Sequence, residues 1–299
     1  MEALIQYAAE AGFSALKDAA LCDYTSFKIG GPADLLLLPQ TPEHCANILR
    51  ISQSEGVPLT LLGNGSNVLA PDEGLRGAVL CTAALRGIRL AGNNTVLCAA
   101  GEKLATLCSF ALENSLAGLA FAYGIPGSAG GAAFMNAGAY GGEMRDVLHA
   151  VKYLTPDGTL AQLEGDALDL GYRHSAFSEN GGLILALELT LQPGDKKEIR
   201  AAMDDFLTRR KTKQPLEYPS AGSVFKRPEG DYAGRLIQEA GLRGFNIGGA
   251  QVSEKHAGFI VNTGGATCAD VLALVEYIQE TVQLVSGVLL ETEIITIKN

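Results

Sequence analysis

Between Gly124 and Gly142 the chain reads GIPGSAGGAAFMNAGAYGG, seven glycines in nineteen positions, with no charge until Glu143. Glycine loses more backbone freedom on ordering than any other residue. Such density therefore implies backbone that turns with positive φ or closes on something too near to admit a Cβ. A flexible linker would be richer in Ser and Pro and would not embed Phe134, Met135, Asn136 and Tyr140. Two arrangements satisfy the pattern: a backbone cradle whose amides face a large planar, anionic cofactor, or a tight turn packed against a helix. The composition favours the cradle.

At 299 residues, with 47% hydrophobic and 19% charged, the chain can bury two or three cores and is not disordered. Its net charge of −10 and pI near 4.9 speak against nucleic acid or an anionic membrane as main partner. No apolar run reaches the ~18–20 residues of a membrane span. The first twenty residues carry acids early and no basic stretch, so they read as a helix and not as a secretory signal. Six cysteines (Cys22, Cys45, Cys81, Cys98, Cys108 and Cys268) are scattered with no CxxC pair, most in apolar runs, the usage of a reducing cytoplasm. The four histidines show no metal-binding spacing, so no metal is expected.

Short apolar runs bounded by Gly, Pro or Asn predict strands over 35–39, 58–62, 78–82, 95–100, 150–155 and 183–192. Helices are predicted over 41–55, behind a Thr-Pro start signal, and over 103–114. Residues 153–162 read as a hairpin around Pro156-Asp157-Gly158. Composition shifts at Gly194. A charged helix follows over 195–213, then amphipathic helices over 231–240 and 269–286, the last with a stripe of Val271, Val275, Ile278, Val282 and Val285. The expected organisation is 1–77, completed by a closing strand near 294–299; 78–194; and 195–293.

The turn LLGNGSNVL follows an apolar strand and presents Gly63, Asn64, Gly65, Ser66 and Asn67 in succession. Consecutive amides in such a turn form a nest for phosphate oxygens, although a plain turn after a strand fits as well. Neither GxGxxG nor GxxxxGK[ST] occurs, which excludes Rossmann and P-loop nucleotide binding. Two separate glycine-rich turns suit a long cofactor gripped at its pyrophosphate and at its ring. Arg173 in GYRHSAF suits a bidentate carboxylate pair or a plain loop position. Ser223 in PSAGSVFKRP suits a cleft or a turn cap, and Glu293 in LLETEIIT a buried acid or a solvated strand end.

These segments (GIPGSAGGAAFMNAGAYGGE, LGNGSNVL, YRHSAF, SAGSVFKRP, HAGFIVN and the terminal LxxE strand) resemble, in order, the bacterial UDP-N-acetylenolpyruvoylglucosamine reductases. The resemblance implies an α+β protein: a two-subdomain FAD-binding fold of the vanillyl-alcohol-oxidase type, then an α+β substrate-binding domain. It implies non-covalent FAD, NADPH as hydride donor and cytoplasmic synthesis of a peptidoglycan precursor, with no nucleic-acid or membrane partner. The cofactor residues it implies are Gly63, Asn64, Gly65, Ser66, Asn67, Gly124, Pro126, Gly127, Ser128, Gly130, Gly131, Asn136, Gly138 and Tyr140. Arg173, Ser223 and Glu293 match the family's catalytic arginine, proton-donating serine and strand-end acid. The fifty positions from Arg173 to Ser223 (223 − 173) leave no room for the tyrosine-bearing loop of one branch, so the chain resembles the other. Thr292 stands where many relatives have proline.

The implied reaction has hydride delivered from NADPH by way of FAD to the enolpyruvyl ether of UDP-N-acetylglucosamine, after which the serine protonates the adjacent carbon. An arginine over the substrate carboxylate strengthens its grip as charge develops there, and a neutral Glu293 would add a hydrogen bond. Lys226 and Arg227 are candidates for the diphosphate, or are surface cations. Asn262 is a candidate for shaping the pocket. Another FAD-dependent oxidase or dehydrogenase of the same superfamily is the alternative.

Overall fold

The Thr41-Pro42 signal forms as its chemistry requires. The Thr41 hydroxyl accepts from the His44 amide at 3.1 Å, and the helix runs Pro42–Ser54. The computed structural model describes all 299 residues and divides into two units. One comprises Met1–Lys17, Leu35–Asn64 and Gly77–Arg210; the other comprises Asp18–Asp34, Gly65–Arg76 and Lys211–Asn299.

In the first unit, Leu59–Leu62 pairs parallel with Leu75–Cys81, residue 59 opposite 78. These strands belong to a four-stranded sheet ordered Ser14–Ala20, Pro32–Leu38, Leu75–Cys81, Leu59–Leu62. A core of Leu35, Leu37, Ile48 and Leu80, joined by Leu4 and Ala8, packs sheet against helices. A second sheet is antiparallel throughout, ordered Leu160–Glu164, Leu148–Leu154, Leu183–Thr190, Thr95–Ala99, Ile88–Leu90. One face, with Val96, Cys98, Leu187 and Leu189, is covered by the helices Leu104–Glu113 and Ala129–Phe134. The predicted hairpin turns at Gly158, φ +80, where the Thr155 amide donates to the Thr159 carbonyl at 2.9 Å.

The expectation of one helix over the first twenty residues is corrected. Helix Glu2–Ala11 buries Leu4 and Ala8 and ends at Gly12, φ +76, whose amide returns to the Ala8 carbonyl. Ser14–Ala20 is instead the edge strand of the first sheet. Over seven residues SALKDAA fits either period, and pairing with the neighbouring strand decides.

The second unit is built on the helix Cys268–Ser286 over a three-stranded antiparallel sheet of Asn246–Ile247, Ala250–Val252 and Ile260–Asn262. Val271, Leu274, Val275, Ile278 and Val282 are buried, whereas Val285 is 59% exposed, so the apolar stripe ends one turn earlier than predicted. Thr267 and Asp270 form a reciprocal capping box at the helix start. The Asp72 carboxylate accepts from the Cys268 and Ala269 amides at 2.7 and 3.0 Å. The closing strand Ile295–Thr296 pairs parallel with Val68–Leu69. No helix is long and apolar enough to cross a membrane. Five of the six cysteines are buried, and burial pushes the thiols of Cys45, Cys98 and Cys108 up to about 12.

Candidate active site

The glycine-rich stretch is both a turn and a short helix. Ser128 caps the helix Ala129–Phe134, its hydroxyl accepting from the Gly131 amide at 3.2 Å. The helix is pinned to a strand end: the Ala129 amide donates to Glu102 and the Gly130 amide to Ala100, each at 2.8 Å. A Cβ on Gly130 would stand 2.8 Å from that of Ala100, so this glycine exists for close packing. Gly127 lies at φ +139 and Gly124 at φ +88, conformations that L side chains rarely adopt. Gly138 begins a tight hairpin, pairing with Glu143, and Tyr140 at φ +55 stacks on Phe206 with centroids 4.7 Å apart. Pro126 is exposed in the turn before Ser128.

Ser128 is also where the first unit brings its two glycine-rich turns together. A Cβ on either Gly63 or Gly131 would lie 3.4 Å from the Ser128 hydroxyl. Gly63 and Gly131 therefore flank one serine with open backbone. Asn64, at the end of this turn, is exposed. In the second unit Gly65 sits at φ +60, where a Cβ would overlap the Tyr24 carbonyl, and its own carbonyl accepts from the Ser26 amide at 3.0 Å. Ser66 is half-buried. Close backbone approach at Gly63 and Gly131 and positive φ at Gly65, Gly124 and Gly127 are features that a phosphate- and ring-binding backbone uses. The residues fit FAD.

Arg173 occupies the first unit, in a bridge of one turn. Gly171 and His174 pair antiparallel, and between them Arg173 takes φ +56 with its guanidinium 5.3 Å from the Tyr172 ring centroid. His174 Nε2 stands 3.0 Å from an Asp169 carboxylate oxygen. Two side chains fasten this hairpin to the glycine-rich stretch. Asn136 Nδ2 donates to the Gly171 carbonyl at 2.9 Å, and the Ser175 hydroxyl donates to the Phe134 carbonyl at 2.7 Å.

Ser223 and Glu293 belong to the second unit, on adjacent extended segments. Ser223 forms a bridge with Phe259, and Phe225 one with Thr292. The Glu293 amide donates to the Val224 carbonyl at 2.7 Å, and the Lys226 amide to the Glu291 carbonyl at 2.8 Å. On the far side Asn67 Nδ2 donates to the Glu293 carbonyl at 3.1 Å, and the Asn67 carbonyl accepts from Ile295 at 3.0 Å. The result is a main-chain ladder running from Phe259 through Ser223 and Glu293 to Asn67.

Lys226 Nζ lies 3.3 Å from Glu291, and the Arg227 guanidinium 4.6 Å from the Tyr232 ring centroid. Asn262 is buried and builds a turn. Its amide donates to Phe27 at 3.2 Å and accepts from Gly264 and Ala266 at 2.9 and 3.2 Å. His256 Nδ1 accepts from the Gly258 amide at 3.1 Å, and burial pushes its pKa below the ordinary imidazole value. Sequence reasoning missed the tethers through Ser175 and Asp72. Ser175 lies within YRHSAF, but it and Asp72 each pair with backbone far along the chain, so local spacing carries no sign of the bond.

Residues 33–164 match the FAD binding domain family, and residues 214–297 match the C-terminal domain of UDP-N-acetylenolpyruvoylglucosamine reductase. The chain is 50% identical over 279 residues to the UDP-N-acetylenolpyruvoylglucosamine reductase of Geobacillus kaustophilus, covering 93% of this chain and 91% of that one. It is 48% identical over 274 residues to that of Listeria monocytogenes, covering 92% of each. Among solved structures, that of UDP-N-acetylenolpyruvylglucosamine reductase (MurB) from Thermus caldophilus superposes with a TM-score of 0.82 at 36% identity, over 96% of this chain and 99% of that one. The α+β architecture is thus an FAD-binding fold followed by the reductases' C-terminal domain. With half its residues shared over nine-tenths of its length, the chain belongs to the UDP-N-acetylenolpyruvoylglucosamine reductase family.

Proposed function

We propose that this protein is an NADPH-dependent flavoenzyme that reduces the enolpyruvyl ether of UDP-N-acetylglucosamine to UDP-N-acetylmuramate, a cytoplasmic step of peptidoglycan-precursor synthesis. The observation that carries the reading is the bond from the Glu293 amide to the Val224 carbonyl, which joins the segment of Glu293 to the segment of Ser223 by main chain in a chain of this family. FAD, bound non-covalently, supplies the hydride relay between NADPH and substrate. Gly63–Asn67 would hold its pyrophosphate and Gly124–Gly131 its ring.

The remaining work falls to side chains. Arg173 binds the substrate carboxylate through two parallel N–H···O bonds, and those bonds strengthen as negative charge spreads into the carboxylate. Glu293, in its neutral form, donates a further hydrogen bond to the same group. Ser223 holds its hydroxyl proton against the substrate carbon next to the ether oxygen and gives it up to the developing carbanion. So weak an acid serves only because the acceptor is strongly basic and the pair is pre-aligned. Lys226 and Arg227, cations just beyond Ser223 in the chain, are the candidates for the diphosphate. The open face of Gly63 and Gly131 about Ser128 supports the cofactor assignment.

The test is direct. Purified protein should be yellow, bleach with NADPH under anaerobic conditions, and regain its colour with the enolpyruvyl sugar nucleotide. Acid precipitation should release all colour to the supernatant. Bleached protein that recovers colour only with oxygen or a small hydroxy acid's keto product would refute the assignment.

A further inference from the structure

We infer that Asn136 is a positioning residue for Arg173: its amide fastens the base of the arginine hairpin to the glycine-rich stretch. The inference rests on the reading of Arg173 as the carboxylate-binding group. Asn136 is 1% exposed and lies at φ +40. Both ends of its amide are engaged by backbone, Nδ2 with the Gly171 carbonyl and Oδ1 with the Arg145 amide, each at 2.9 Å. It thus spans two segments, with both ends of its amide taken up by the protein's own backbone. Asparagine is among the few side-chain-bearing residues that enter this left-handed region readily, so the position suits it on backbone grounds too.

What the tether does follows from the hairpin's shape. Gly171 and His174 exchange main-chain bonds at 3.0 and 3.3 Å, and Arg173 between them is left-handed, a conformation an arginine does not choose unaided. One bond from Asn136 fixes the carbonyl where the hairpin begins, and Ser175, donating to Phe134, fixes the residue just past its end. A fork of two parallel hydrogen bonds demands placement within fractions of an ångström, and the two bonds from the 134–136 segment supply it.

Asn136→Asp isolates the donor. Aspartate tolerates the same φ and keeps an oxygen for the Arg145 amide, but turns a carboxylate oxygen toward the Gly171 carbonyl. At pH 8 the flavin should re-oxidise with the enolpyruvyl substrate ~10²-fold more slowly, the scale of a misplaced catalytic group. Calorimetric affinity of the oxidised protein for that substrate should fall, while flavin content and reduction by NADPH hold. As pH falls, a carboxyl facing a carbonyl takes up a proton, regains a donor and restores the rate. Glu143, Arg145 and Asp146 on one flanking segment, and Asp169, Arg173 and His174 on the other, also titrate or carry charge, so the wild-type profile is run beside it. Asn136→Gly keeps the backbone conformation and loses both bonds, and its deficit should be independent of pH.

Arg173→Lys separates the layers of the claim. If it slows re-oxidation while both Asn136 variants bind and re-oxidise like wild type, the tether is wrong and the arginine's role stands. If Arg173→Lys is itself silent, the arginine's role fails and the inference falls with it. Loss of flavin from well-folded Asn136→Gly would make the residue a cofactor ligand and overturn the inference, as would failure of both variants to fold.

Discussion

The hairpin that carries Arg173 and the ladder that carries Ser223 and Glu293 are held by opposite means. The hairpin is a single turn with an inverted residue at its tip, φ +56, fastened by the side chains of Asn136 and Ser175. The ladder is extended chain stitched by main-chain bonds through Val224 and Lys226, with Asn67 closing it on the outer side. Where backbone does the holding, side chains are free for chemistry and can be changed without unseating their neighbours. Where side chains do the holding, fold and chemistry are coupled.

The sharpest test is Ser223→Ala. The bridge from Ser223 to Phe259 is main-chain, so the variant should melt like wild type. Its reduction by NADPH should be nearly intact, whereas re-oxidation by substrate should fall ~10²–10⁴-fold, the usual loss on removing a general acid. Stopped-flow absorbance read separately with each reactant checks this. Equal slowing of both halves would make the serine an organiser of the flavin site.

Smaller, and aimed at the backbone itself, is a crossed pair of substitutions. At Arg173 a left-handed non-glycine residue costs about 1–2 kcal/mol, so Arg173→Gly should be more stable than Arg173→Ala by about 1 kcal/mol after glycine's entropy is set against it. At Glu293, which has negative φ, the order should reverse, with Ala more stable than Gly. Denaturant melts of the four variants decide it. Alanine more stable than glycine at both sites would mean that the hairpin is not strained and that the contrast with the ladder is empty.

Why these devices escaped sequence reading is instructive. The strands at Pro32–Leu38, Leu59–Leu62 and Thr95–Ala99 were legible because continuous apolar runs between Gly, Pro and Asn have little choice but a covered sheet. Ser14–Ala20 was not, because its residues commit to no period and its pairing partner comes later in the chain. The candidate site residues stand in local motifs, whereas the bonds that Asn67 and Asn136, read there as candidate cofactor residues, make to distant backbone left no mark in the sequence. Asn67 reaches the Glu293 carbonyl across 226 positions and Asn136 reaches Gly171 across 35, distances at which local pattern carries no signal. Nor does an arginine advertise a left-handed φ.

Acid should loosen the ladder's side of the protein through His256, which precedes Phe259 in the turn that pairs with Ser223. Burial, with the charge of Arg243 adding to it, lowers this imidazole's pKa. The unfolded chain therefore binds a proton where the folded one does not. The stability linked to this histidine is complete above the unfolded value of about 6.5 and is lost progressively as pH falls below it. His256→Asn keeps an acceptor for the Gly258 amide and removes the titration, so its melting temperature should vary less between pH 7 and 5 than that of wild type. Parallel curves would assign the acid sensitivity elsewhere.

The smallest expected effect belongs to Lys226 and Glu291, whose side chains pair at 3.3 Å with 40% and 74% of their surfaces exposed. An exposed pair of this kind is worth roughly 0–1 kcal/mol at most. Beneath it the Lys226 amide still donates to the Glu291 carbonyl at 2.8 Å, a bond no side-chain change removes. Glu291→Gln should therefore leave stability within about 0.5 kcal/mol of wild type. It should also lower the substrate's KM slightly, because Lys226, proposed to meet the diphosphate, loses a competing carboxylate, and the gain should fade with added salt. A loss of stability well beyond that range would mean that side chains hold this rung as they hold the arginine hairpin, and the distinction between the two regions would collapse at its weakest point.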